Sequence, residues 1–447
     1  MTTLARDRGQ PERLANLDAA DAAASPATPS VRWKILLYLG ALIVLLGFGA
    51  PGGGLIGLPI SFILKNKLHL KAHQTALFGL VAATPIYFST LFGLARDRWS
   101  PFGMGDRGFL LLFGAICAVV YVLFAFVPLT YVALLVAVAL ARIAYLFVLS
   151  AQSGLTSAIG QQHVMSGQIS AAWNLFSSLP GIAALLLGGA FSDLLEGERA
   201  DQAAHNLFFV GAAIMALIAL LALCRPASVF QNLRDERLRH ARLADDLRRL
   251  IRHWPIYPAL LIWMLWNFAP GSVTALQYYL QDTLHAKDAQ RGQWNAVFAV
   301  GFIPTYMLFG LLCQKLPLRT LLIWGTVVAV PQMVPLLFIH SVAGALVAAA
   351  AIGLMGGVAT SAYMALLIRS CPQGLQGTVM MAALGLFEVS TRLGDVLGTD
   401  LYDAFGGFTV CVIAITAVYA LILPLVFLAP RSVVDMPDGE APKPLPR

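Results

Sequence analysis

Four charged residues stand inside otherwise apolar stretches of the chain: Arg142, Glu388, Arg392 and Asp395. The last three follow at i, i+4 and i+7, so a single helix face carries them all. A charge in so apolar a setting is costly, and it faces a cavity or an opposite charge. Two chemistries fit. Arg142, joined by Arg392, can hold an anionic group through the planar fork of its guanidinium. Glu388 or Asp395 can take up and release a proton. The competing reading is a static ion network, because the two cations and two carboxylates sum to zero. A second set is aromatic and amide: Trp173 and Asn174, Trp266 and Asn267, and Tyr363. Such groups can stack on an aromatic or heterocyclic ligand, or they can pack within a core.

Other chemistries find little support. Ala151-Gln152-Ser153-Gly154 lacks the first glycine of an intramembrane serine-protease turn. The chain has no His-Glu-x-x-His metal motif and no phosphate-binding loop. Its five cysteines are scattered, without the paired spacing of a zinc site or a disulfide frame. No catalysis, no metal and no cofactor are expected.

The elements that must position these residues are helices in a bilayer. The chain is 58% hydrophobic and only 12% charged, against about 25% charged for an ordinary soluble domain. Mean hydropathy is +0.75. Twelve apolar spans, α1 to α12, are expected at 33–64, 72–95, 109–127, 131–152, 167–194, 206–223, 254–281, 292–314, 321–339, 343–368, 376–402 and 408–428. The predicted fold is an all-α membrane protein of two six-helix halves, 32–224 and 254–430. Both α1 and α7 exceed the roughly 20 residues that cross a bilayer, and each carries a Pro-Gly pair where a helix can break.

The second half echoes the first. Phe48-Gly49-Ala50-Pro51-Gly52 returns as Phe268-Ala269-Pro270-Gly271, and Leu68-His69-Leu70-Lys71 returns as Leu284-His285-Ala286-Lys287. Pro85-Ile86-Tyr87 and Leu91-Phe92-Gly93 return as Pro304-Thr305-Tyr306 and Leu308-Phe309-Gly310. Duplicated helical halves place a binding site at their interface and let one half rock against the other.

Charge fixes the orientation. With the N-terminus inside, about 22 of the 30 Lys and Arg fall on the cytoplasmic side and about six outside. The net charge of +7 is therefore a topology signal, and no nucleic-acid partner is expected. Residues 1–31 read as a disordered cytoplasmic tail, since a secretory signal would place its apolar run nearer the start. Residues 431–447, with several prolines, read the same way. Between the halves, 225–253 holds eight arginines. It is expected to form a basic amphipathic linker on the cytoplasmic leaflet.

The turn after α2 reads Gly93-Leu94-Ala95-Arg96-Asp97-Arg98, followed by Gly103, Gly105 and Arg107. It resembles the loop between the second and third helices of the major facilitator superfamily. The resemblance implies that Gly93, Asp97, Arg98 and Arg107 form a cytoplasmic gate, with the acid pairing across to the other half. The matching turn, Gln314-Lys315-Leu316-Pro317-Leu318-Arg319, lacks the acid. Within the superfamily the chain is most similar to the folate–biopterin transporter group, through Asp97…Pro101-Phe102-Gly103 and Cys371-Pro372-Gln373-Gly374-Leu375-Gln376-Gly377-Thr378. Gly57-Leu58-Pro59 is similar to muropeptide and siderophore permeases. These likenesses imply a proton-coupled secondary transporter of a small organic solute, a monomer in the inner membrane with both termini cytoplasmic. The rival is a non-transporting assembly or scaffold protein of the same fold.

Overall fold

The structure is a computed structural model and describes residues 26–53, 56–57, 60, 63–64, 68–70, 72–127, 130–196, 200–224, 226–230 and 243–440. The expectations for 1–25, 231–242 and 441–447 lie outside these residues. The described elements are all helical. Nine are long and apolar enough to cross a membrane. The other three are α5, the broken α7, and α11 with its charged face. The chain is a multi-pass membrane protein.

Half one contains α1 (Pro29–Gly49), α2 (Ala72–Tyr87 and Ser89–Arg98), α3 (Asp106–Phe124), α4 (Tyr131–Gln162), α5 (Ser166–Glu196) and α6 (Ala200–Leu223). Half two contains α7 (Ile256–Asn267, then Thr274–Tyr278), α8 (Asp288–Leu312), α9 (Leu318–Ala329), α10 (Val342–Ser370), α11 (Gln376–Phe405) and α12 (Phe408–Ala420, continued by Ile422–Leu428). Within the halves, α3 packs on α4 and α6, and α10 packs on α8 and α9. Between them, α2 and α4 meet α11, and α5 meets α8 and α10.

The repeat extends to backbone detail. Gly52 and Gly271 both take left-handed backbone, with φ of 90° and 85°, where a side chain would be strained. Each lies just past the break that its Pro-Gly pair opens. His69 and His285 are left-handed as well, and the turns around them share one bonding pattern. Leu68 N–H donates to Ile63 and Leu284 N–H to Tyr279, while Leu70 N–H donates to Leu64 and Ala286 N–H to Leu280. Two equivalent residues in the same uncommon conformation identify the halves as copies of one design.

Two expectations are corrected. Helix α4 does not stop near Gln152 but runs to Gln162. Gln152, Ser153, Thr156 and Ser157 are buried, because this polar turn packs against other helices instead of meeting water. The C-terminal tail is ordered from Arg431 to Glu440, with Val434, Met436 and Asp438 buried. The linker carries a helix, Leu243–Arg252, with none of its residues buried.

The apolar core shows where the halves join. One cluster lies wholly in half one, around Leu42, Phe109, Val148 and Met215. The other fills half two and extends into half one through Ile35, Leu39, Leu155, Ile159 and Ile169. These residues sit near one end of the bundle, the end that carries the α2–α3 turn. There the two halves share a single core, and this is termed the closed end.

Candidate functional site

The closed end is organised around Asp97. It terminates α2 and is buried, and its carboxylate accepts from the Gly377 N–H at 3.1 Å, the Thr378 N–H at 2.6 Å and the Thr378 hydroxyl at 2.7 Å. It thus caps the N-terminus of α11 in the other half, where the helix dipole favours a negative charge. The acid is held in turn by Arg96, which donates to Asp97 at 2.7 Å and forks onto both oxygens of Asp106 at 2.6 Å. Arg96 is 1% exposed. A cation so deeply buried persists only when it is paired and hydrogen-bonded.

Glycines make this approach possible. A β-carbon on Gly93 would lie 2.3 Å from the Gly377 carbonyl oxygen, and one on Gly154 would lie 2.4 Å from Arg96 Cζ. Around the latch, Ser89 donates to the Met381 carbonyl, Gln161 to the carbonyls of Ile368 and Cys371, and Gln376 to Gln161. Burial pushes the Cys371 thiol up to about 12. The outer members of the expected gate have lesser parts. Arg98 makes a 3.1 Å ion pair with Asp246 of the linker helix, with 36% of the Arg98 side chain exposed. Arg107 donates to the Ala222 and Leu223 carbonyls at the end of α6 and lies over the Phe230 ring.

Midway along the bundle, Arg142 donates to the Pro51 carbonyl at the break of α1. It also lies within electrostatic range of Glu388 across the seam. Glu388 is half-buried and Arg392 exposed. Asp395 is committed elsewhere. Its two oxygens accept from the Thr274 N–H and hydroxyl, each at 2.8 Å, at the start of the second piece of α7. Asp395 thus caps the second piece of α7.

The aromatic and amide set divides. Asn174 donates to the Ser361 hydroxyl at 3.2 Å, a bond from α5 to α10 across the halves. Trp173 is half-buried beside it, and Asn267 donates to the Trp263 carbonyl of its own helix. Trp266 and Tyr363 are corrected. Trp266 stacks on Tyr419 and meets Tyr363 edge-on, while the Tyr363 hydroxyl bonds to Thr326. Both lie inside the core of half two, 8% and 1% exposed. The sequence reading passed over Arg96, Asp106 and Arg369. Gly154, the space that admits Arg96, was the available signal for the first.

The family model described as Major Facilitator Superfamily matches residues 165–394, just over half of the chain. The chain belongs to that superfamily, a class of secondary transporters. No curated protein matches it. Among solved structures it is similar to the proton:xylose symporter XylE bound to 6-bromo-6-deoxy-D-glucose, with TM-score 0.68 and 12% identity, covering 90% of this chain and 97% of that one. It is also similar to the transporter FucP in the outward conformation, with TM-score 0.62 and 15% identity, covering 88% and 98%. At these identities the likeness is one of fold. None of these likenesses supports the folate–biopterin group in particular.

Proposed function

We propose that the protein moves a small organic solute, anionic or heteroaromatic, across the inner membrane by alternating access driven by protons. The observation that carries this reading is the placement of Arg142 in half one and Glu388 in half two, opposite charges at mid-bundle within electrostatic range across the seam. Glu388 is the proton carrier. Arg142 and the exposed Arg392 receive the anionic group, and Trp173, Asn174 and Asn267 are further candidate contacts. Asp395 keeps its capping role. Halves 32–224 and 254–430 move about the linker 225–253. The closed end is cytoplasmic, as the distribution of Lys and Arg favours, and both termini lie on that side of a monomer.

Carriage by this route needs a carboxylate that can lose its cation. Protonating Glu388 removes a nearby negative charge and raises the attraction of the Arg142 guanidinium for a substrate anion. The substrate anion then replaces that charge, which ties proton and solute together. The first test is a thermal-stabilisation screen of the purified chain with pterins, folates, aromatic acids, short peptidoglycan fragments, siderophores and xylose, at two pH values. A ligand that binds only the folded state raises the melting temperature. A pH-dependent shift that is lost in Arg142→Ala supports the proposal. A well-folded protein that answers to nothing in the panel favours the scaffold reading.

A further inference from the structure

We propose that the segment 430–439 after α12 is a strap that latches the closed end from half two, with Asp438 as its positioning residue. Asp97 caps the fifth helix of the opposite half. By the repeat, the end of α8 should carry an acid that caps α5, and none stands there: the place of Asp97 is held by Gln314, beside Cys313. The strap brings one in. Asp438 accepts from the Gly167 N–H at 3.1 Å and the Gln168 N–H at 2.9 Å, at the N-terminus of α5. Its own N–H donates to the Cys313 carbonyl, and the Cys313 thiol lies 3.6 Å from Asp438 Oδ2.

The correspondence reaches further. Ser166-Gly167-Gln168 opens α5 as Gln376-Gly377-Thr378 opens α11. A β-carbon on Gly377 would lie 2.7 Å from Asp97 Oδ1, and one on Gly167 would lie 3.0 Å from Asp438 Oδ2. Each acid has an arginine behind it. Arg369, at the end of α10, donates to Asp438 at 2.8 Å and to the carbonyls of Val433 and Met436. The strap itself descends from the repeat. Pro226-Ala227-Ser228-Val229 after α6 returns as Pro430-Arg431-Ser432-Val433 after α12, with Val229→Pro226 and Val433→Pro430 main-chain bonds in common. After α6 that segment leads into the linker. After α12 it leads to Asp438.

The strap therefore touches both halves by different means. Arg369 and the Cys313 carbonyl tie it to half two. The Gly167 and Gln168 N–H groups, with the Val164 carbonyl that accepts from Gly439, tie it to half one. When the closed end opens, the bonds to Arg369 persist and those to α5 break. Asp438 thus sets how readily α5 parts from α8 and α10. This rests on the geometry of the two halves and on no particular substrate.

The test uses the full chain in its membrane. A membrane-permeant maleimide labels thiols, and the products are read peptide by peptide. Cys371 is buried under the Gln161 bonds at the seam, and Cys411 is buried near the far end of half two. In Asp438→Asn, and in a chain ending at Pro430, Cys371 should label at least about threefold faster than in the unaltered chain, with Cys411 unchanged. Asp438→Glu should restore part of the protection. Equal Cys371 labelling in all forms overturns the proposal. So does an equal rise at Cys411, which would mark Asp438 as holding half two together and nothing more.

Discussion

The breaks in α1 and α7 stand at equivalent places, and opposite charges hold them. In half one the Pro51 carbonyl lies just past the end of the first piece of α1, and the cation Arg142 meets it. In half two it leaves the Thr274 N–H at the start of a new helical piece, and the carboxylate of Asp395 meets that. Both arrangements set a charged side chain on a main-chain group at a helix end, and both agree with the sign of the helix dipole. They differ in freedom. Asp395 spends both oxygens on Thr274. Arg142 answers to Pro51 and to the charge of Glu388 together. The break in half two is fixed by Thr274, and in the proposed mechanism the break in half one responds to a proton or an anion.

Variants should separate the two breaks. The largest effect on stability is expected for Asp395→Ala, which removes two charge-assisted bonds and lowers stability by about 3 kcal/mol. A thermal melt in detergent checks this, and an unchanged melting temperature would erase the distinction. Arg142→Ala should lower stability by about 1 kcal/mol while weakening ligand binding at least about tenfold. Arg142→Lys keeps the charge without the planar fork and should recover little of that binding. Glu388→Gln should change stability by less than about 0.5 kcal/mol. It should abolish gradient-driven accumulation and leave exchange between two pools of substrate intact, and accumulation at the normal level would remove the proton from Glu388. Arg98→Ala is the smallest, within about 0.5 kcal/mol, since its ion pair is partly exposed.

Much of the fold could be read from the sequence, because length, apolar content and repeat are properties of whole segments. Asp97 could be read for a similar reason: its glycine, acid and basic neighbours lie within one turn. Other features depend on contacts that no local pattern encodes. Trp266 and Tyr363 have the residue types of a ligand cage, and helical period does not say which face of α7 or α10 looks inward. Arg96 lies beside Asp97, and only the hole at Gly154 shows that it turns into the protein. Asp438 is 270 residues from Gln168 in sequence, in a proline-bearing stretch whose composition resembles a disordered tail.

The coupling of Arg142 to Glu388 across the seam is tested most directly by a double-mutant cycle on thermal stability, using Arg142→Ala, Glu388→Gln and the double variant. The expected result is an interaction energy of about 1 kcal/mol or more, so that Glu388→Gln, nearly neutral alone, becomes stabilising once Arg142 is gone. Additivity within about 0.3 kcal/mol would mean that the two charges act independently, and Glu388 could not pass the arrival of a proton to the break in α1.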